Sequence, residues 1–271
     1  MFVQIVYIVL GFLLLFAGGE GLLRGTVSIA GRLGVSTLLV STVIIGFGTS
    51  MPELLVSLQA VWTGTPDIAL GNVIGSNIAN ILLILGLAAV ISAISCHNPT
   101  IRHDALAGVA AAAILCAASF QQRLSWPVGL GMMALLFAYI FYSYRNERKK
   151  SAESQLLRKH IDTDLSAKDS TARSLIFAIG GLVLLVMGAK LLVMGAATIA
   201  RAAGISEAVI GLTLIAVGTS LPELTTAVIA ARKKHTDIVI GNVMGSNLFN
   251  ILGILGITSV ITPVPFAGQL A

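Results

Sequence analysis

GTSMPELLVSLQAVWTGTPDIALGNVIGSNIANILLILG, residues 48–86, returns as GTSLPELTTAVIAARKKHTDIVIGNVMGSNLFNILGILG, residues 218–256, a constant 170 positions later. Aligned without a gap, 21 of the 39 positions are identical. Much of each copy is apolar enough for membrane helices, yet the identities include the polar residues that hydrocarbon penalises. These are Thr49, Ser50 and Glu53 with Thr219, Ser220 and Glu223, then Asn72, Ser76, Asn77 and Asn80 with Asn242, Ser246, Asn247 and Asn250. An ionisable group at mid-bilayer costs at least ~2.5 kcal/mol. Two of them at matching positions, with no nearby Lys or Arg in the spans to pair them, mark a site rather than a packing device.

The composition around the repeat fixes the class. Of 271 residues, 56% are hydrophobic and only 11% charged, and the mean hydropathy is +0.94, whereas soluble domains carry roughly 25% charged residues. Apolar runs long enough for a ~30 Å hydrocarbon core fall near 3–23, 35–62, 68–95, 104–120, 125–144, 174–194, 205–231 and 237–262. An all-α membrane protein with about eight transmembrane helices is expected. The net charge of +5 then reads as a topology marker and not as a nucleic-acid surface. With the N-terminus outside, 14 of the 17 Lys and Arg residues fall on the cytoplasmic side, as the positive-inside rule requires.

The repeat extends one helix upstream: GGEGLLRGTVSIAGRLGVS from Gly18 matches GAKLLVMGAATIARAAGIS from Gly188 at the same offset. Residues 1–145 therefore form a first unit of five helices, 146–172 a polar cytoplasmic linker, and 173–271 a second unit. Because five is odd, the second unit enters the membrane inverted. Such repeats place a substrate site near the midplane, where the copies meet. Counted against the first copy, nothing corresponds to residues 102–145. The second unit is thus expected to lack its last two helices, and a non-transporting truncated fragment stands as one alternative.

The motif residues define a chemistry. Thr49 and Glu53, four apart, share a helical face, and Pro52 between them is expected to kink the helix and free the carbonyl of Gly48. Asn72, Ser76 and Asn80 form a polar stripe beside the close-packing spacing Gly71 and Gly75, repeated by Asn242, Ser246 and Asn250 with Gly241 and Gly245. Carboxylate, amide, hydroxyl and carbonyl oxygens without Cys or His suit hard cations such as calcium, sodium or magnesium, not zinc or copper. The −2 of Glu53 and Glu223 matches one divalent ion or about two monovalent ones. Alternate occupancy by calcium, or by sodium ions or protons, is what an antiporter needs. An enzyme would need a nucleophile or metal ligands that the spans do not offer, and no cofactor is expected beyond the transported ions. Glu20 and Lys190 occupy equivalent positions, but inversion sends them toward opposite faces, so each is expected to snorkel to its own interface.

At GTSMPEL and GTSLPEL with GNVIGSN and GNVMGSN, the chain resembles the sodium/calcium exchanger family of the calcium:cation antiporter superfamily, and within it the bacterial YrbG-like branch. The resemblance covers both repeats and the helices preceding them. It implies ten spans with an outside N-terminus, an inner-membrane location, and exchange of calcium for sodium, with calcium/proton exchange as a neighbouring alternative. It further implies calcium ligation by Glu53, Glu223, Thr49 and Thr219. Sodium would also use Ser76, Ser246 and the backbone oxygens of Gly46 and Ala216, with Asn80 and Asn250 completing the centre and Ser50 and Ser220 beside it. Some prokaryotic exchangers carry Asp where this chain has Asn250, so the charge balance differs here. In the family, the first helix of each repeat slides against a core formed by the others.

Overall fold

The computed structural model describes residues 2–94, 99–155, 170–205 and 216–266. Helices α1 (Phe2–Leu33) and α9 (Thr171–Ala202) each hold 32 residues, about 48 Å at 1.5 Å per residue. That exceeds the hydrocarbon thickness, so each must tilt or overhang. They pack antiparallel along most of their length, and the contact is made by glycines seven residues apart on each helix. A Cβ built on Gly11 would lie 2.8 Å from the carbonyl oxygen of Gly188, one on Gly18 2.7 Å from that of Gly181, and one on Gly195 2.7 Å from that of Gln4. No side chain fits between the backbones there. Ser28 and Ser174 close one end of the ladder with a hydroxyl–hydroxyl bond of 2.6 Å. Since α1 and α9 are the equivalent helices of the two copies, their antiparallel pairing is the inversion expected from an odd helix count.

The first repeat continues through α2 (Thr37–Val40), a π-helical turn at Ser41–Ile45, α3 (Gly46–Thr49) and α4 (Met51–Trp62). Next come α5 (Pro66–Ala79), a π turn at Asn80–Leu85 and α6 (Gly86–Ile91). Two long helices follow, α7 (Pro99–Ser119) and α8 (Trp126–Gln155). After α9 the second repeat gives α10 (Ala216–Thr219), α11 (Leu221–Arg232), α12 (Thr236–Leu248), a π turn at Phe249–Ile254 and α13 (Leu255–Ile261). Six described helices are long and apolar enough to cross a membrane, or seven when Thr37–Thr49 and Met51–Trp62, bent by 42°, count as one. The eighth span, expected at 205–231, is described only to Ile205 and from Ala216 onward; residues 206–215 lie outside the described residues, as do 156–169 of the expected linker.

The structure departs from the sequence expectations in three places. An all-α chain has one exception, an antiparallel ladder of β1 (Arg123–Leu124) with β2 (Val264–Pro265), formed where the α7–α8 loop and the end of α13 emerge side by side in extended backbone. The segment expected to link the halves begins as a continuation of α8 through Gln155. Its Glu147, expected in water, is buried; it accepts from the Ser36 backbone N–H at 3.2 Å and from Thr100 Oγ1 at 3.2 Å. Beside it, Tyr139 Oη donates to the buried Asp104 at 2.8 Å. These bonds fasten α7 and α8 to each other and to the start of α2. Finally, Glu20, expected only to snorkel to its own interface, does so paired with Lys233 at the end of α11, which lies toward the same face.

At the centre α12 crosses α2 and α3 at backbone distance: a Cβ on Gly241 would sit 2.7 Å from the Leu38 carbonyl oxygen, and one on Gly46 2.7 Å from the Ser246 nitrogen. Helices α7 and α8 then cover α12 and α13, with a Cβ on Gly129 falling 2.6 Å from the Gly256 carbonyl oxygen. In consequence the most apolar window of Thr236–Ile261 is 94% buried, whereas that of its equivalent Pro66–Ile91 is 22% buried. Among the described residues no helix follows α13 to cover α5 and α6 in the same way.

The ladder makes a direct prediction. Gly18→Leu forces a side chain into the Gly181 backbone and costs about 2–3 kcal/mol, visible as a lowered melting temperature in detergent. Gly131→Ala, whose Cβ meets nothing within 4 Å, leaves the melting temperature unchanged or raises it.

Candidate cation site

Both GTS-x-PE segments break at the same serine. Ser50 has φ −82° and ψ 8°, Ser220 φ −89° and ψ 5°, and the prolines that follow sit in the first turn of α4 and α11, where a missing N–H costs nothing. The break turns Glu53 and Glu223 inward; each is 1% exposed. Proline was expected to free the Gly48 carbonyl. Instead the Ser50 N–H bonds to that oxygen, and it is the Gly46 carbonyl that turns across the repeat boundary to accept from Ser246 Oγ at 3.0 Å. The broken helices are propped by asparagines. Asn72 Nδ2 donates to the Glu53 carbonyl at 3.0 Å and to Ser57 Oγ at 2.9 Å; Asn242 Nδ2 donates to the Glu223 carbonyl at 3.1 Å and accepts from Thr49 Oγ1 at 3.2 Å.

The carboxylates are held reciprocally. Ser50 Oγ donates to Glu223 Oε1 at 2.9 Å, and Ser220 Oγ to Glu53 Oε1 at 3.3 Å. Ser246 Oγ lies 3.5 Å from Glu223 Oε1, and Ser76 and Thr49 face Glu53 and Glu223 respectively. Asn80 and Asn250, each 1% exposed, sit in the π turns after α5 and α12. Such turns insert one residue into the helical ladder and occur frequently at functional sites. Four buried oxygens around this cluster have no hydrogen-bond partner: Oε2 of Glu53, Oε2 of Glu223, Oδ1 of Asn80 and Oδ1 of Asn250. All four are acceptors, two from each repeat at equivalent positions. Neither carboxylate is paired with a Lys, Arg or His among the described residues. Buried acceptors without donors are satisfied by a cation, a proton or an ordered water.

Of the residues singled out in the sequence, Glu53, Glu223, Thr49, Ser50, Ser220, Ser76, Ser246, Asn80, Asn250 and Gly46 are brought together. Thr219 is half-buried at the end of α10, and Ala216 opens that helix. Ser50 and Ser220 spend their hydroxyl protons on the opposite repeat's glutamate. Two further residues join the cluster from outside the every-fourth-residue stripe: Asn77 and Asn247, which contact the amides of Asn250 and Asn80. Their identity in both copies was the signal. Phe47 stacks on Phe249 with ring centroids 4.7 Å apart beside Gly46 and Asn250. This pair has no counterpart in the other half, where Val217 and Ala79 occupy the equivalent positions.

The chain is a multi-pass helical membrane protein whose duplicated halves enclose buried acceptor oxygens. The model of the sodium/calcium exchanger protein family matches residues 3–145 and 173–270. The chain belongs to that family. It is 34% identical over 270 residues to the putative antiporter CaxA of Alkalimonas amylolytica, covering 97% of this chain and 82% of the relative. It is 30% identical over 262 residues to the inner membrane protein YrbG of Escherichia coli, covering 94% and 79%. The sodium-calcium exchanger NCX_Mj soaked with sodium and strontium superposes with a TM-score of 0.84 at 33% identity, covering 97% of this chain and 84% of that one.

Asn242→Ala would remove the side-chain donor to the Glu223 carbonyl and one of the two acceptors within reach of Thr49 Oγ1. The expected loss is about 1–3 kcal/mol, measured as a lowered unfolding midpoint in detergent.

Proposed function

We propose that this chain is a secondary active antiporter that exchanges calcium for sodium across a bacterial inner membrane. The observation that carries the reading is the set of four partnerless oxygens on Glu53, Glu223, Asn80 and Asn250, because two carboxyls without counter-charge in a low-dielectric core must be neutralised by a bound cation or by protons. Calcium is written here as substrate. It would be held by Glu53 and Glu223 with Thr49 and Thr219. Sodium would take the same carboxylates and add Ser76, Ser246 and the backbone oxygens of Gly46 and Ala216. One calcium or about two sodium ions satisfy the −2, so the two cargoes exclude each other.

Alternating access follows from two units of inverted topology, a first of five helices and a second lacking its last two, with the N-terminus outside and about eight spans in this chain. Supporting it, the cage bonds named above lie, among the described residues, outside α1 and α9. The α1–α9 pair is seated one-sidedly: α1 lies on α11, with Gly19 against Ile229 and Glu20 on Lys233, while among the described residues α9 has no comparable seat on α4. Inverted repeats in unequal arrangements are what one end state of an alternating-access cycle requires.

The test is calcium uptake into proteoliposomes loaded with sodium. An outward sodium gradient is expected to drive uptake, and Glu53→Gln or Glu223→Gln to reduce it by at least ~100-fold, more than the loss of an outer-shell partner. A second reading, calcium/proton exchange, rests on the same two glutamates, each with an oxygen free to carry a proton. Uptake driven by a pH gradient and indifferent to sodium would select it; uptake by neither gradient in an otherwise folded, calcium-binding protein would sink exchange altogether.

A further inference from the structure

Asn77 and Asn247 have no place in the ligand set, yet each is bonded to an amide that has. Asn80 Nδ2 donates to Asn247 Oδ1 at 2.9 Å, and Asn250 Nδ2 donates to Asn77 Oδ1 at 2.9 Å. The bonds cross between repeats, so the residue that holds each cage amide comes from the opposite half. Asn77 is itself fixed, since its Nδ2 donates to the Asn247 backbone oxygen at 3.3 Å. Its Oδ1 is thereby left facing Asn250.

An asparagine amide has two ends of opposite polarity on nearly the same shape. Which end faces the cage decides whether Asn80 and Asn250 present an acceptor or a pair of N–H donors. A donor there would repel a cation and could satisfy a carboxylate in its place. Because both Nδ2 groups are drawn to Oδ1 of Asn247 and Asn77, the Oδ1 atoms of Asn80 and Asn250 are the ends left buried and unpartnered.

We infer that Asn77 and Asn247 are positioning residues, a crossed amide clamp that fixes Asn80 and Asn250 with their carbonyl oxygens toward the cation. The inference rests on the cage being a cation site. It assigns a chemical reason for an amide oxygen at both positions, and for Asn at 77 in particular, whose polarity is set by its own bond to the backbone. A neutral amide at 250 can then serve as a ligand as readily as a carboxylate would, provided that it cannot turn.

The experiment is equilibrium binding of radioactive calcium to the purified full chain in detergent. Asn247→Ala and Asn77→Ala are each expected to weaken binding by about tenfold, the lower end for losing a group that orients a ligand. The crossed cycle separates this from a packing role. In an Asn80→Ala background Asn247→Ala should cause no further loss, and likewise Asn77→Ala in an Asn250→Ala background. The uncrossed pairs, Asn77→Ala with Asn80→Ala and Asn247→Ala with Asn250→Ala, should lose affinity multiplicatively. Should an alanine variant fail to fold, Asn247→Asp and Asn77→Asp keep the acceptor oxygen and are expected to keep calcium binding; a folded aspartate variant that has lost it overturns the clamp. Wild-type protein that binds calcium while Asn247→Ala binds equally well, or crossed losses that multiply, overturns the clamp alone. Wild-type protein that binds no calcium overturns the cation-site reading and the clamp with it.

Discussion

Two carboxylates buried in a membrane protein without a basic partner are the constraint to which the rest of this structure answers. Their charge cannot be neutralised from within the described residues, so every neighbouring group is arranged to keep the pair hydrated by protein: a serine hydroxyl on one oxygen of each, and nothing on the other. Burial of a charge is tolerable only with near-complete hydrogen bonding or a counterion. Here the hydrogen bonding stops one oxygen short on each side. The cage is incomplete in its donor set: hydroxyls and amide N–H groups are spent where the halves are held together, and the four oxygens left without a partner are all acceptors.

Duplication explains how one chain builds such a cage. Ser50 with Glu223, Ser220 with Glu53, Ser246 with the Gly46 carbonyl, and Asn80 with Asn247 are all bonds between the halves. A single repeat props its own broken helix through its own asparagine, but it would lack the serine donor that the opposite half places on its glutamate. Close approach makes the crossing possible: Gly46, Gly241 and Gly245 admit backbones to contact where any Cβ would collide. The glycines of GNVIGSN and GNVMGSN are thus not equivalent in use. Those of the second copy lie against α2, the π turn at Ser41–Ile45 and α3, whereas a Cβ on Gly71 or Gly75 would meet nothing within 4 Å.

Much of this was legible from residue types alone, because hydrocarbon makes polar residues conspicuous. Glu53, Glu223 and the shared asparagines stand out against apolar neighbours, and an odd number of spans per copy dictates inversion. What was not legible depended on geometry finer than periodicity. The π turns at Asn80 and Asn250 leave no mark in an every-fourth-residue pattern. The role of Ser50 and Ser220 as donors to the opposite glutamate depends on the break falling at the serine and not at the proline two residues later. Glu147 looked solvated because it lies in a charged run, yet α8 carries it back against Ser36 and Thr100. Lys233 sits 43 positions beyond Lys190 and could be matched with Glu20 only once α1 was seen lying on α11.

The burial of the motif helices separates what must be rigid from what must not. The equivalent helix pairs Pro66–Ile91 and Thr236–Ile261 carry the same ligands, but only the second is sheathed by α7 and α8. Its amides and carbonyls are therefore fixed by protein on all sides, while the first half borrows its rigidity through bonds to Asn242, Asn247 and Ser246. The α1–α9 pair stands apart from that scaffold. Its glycine ladder joins the two helices backbone to backbone, which makes them one stiff body, and its attachment to the core rests on side-chain contacts such as Ile229 on Gly19 and Leu182 on Gly48. Among the described residues, the cage bonds named above lie outside this pair, so the geometry of the cage is set by the shorter, broken helices and not by the two longest ones.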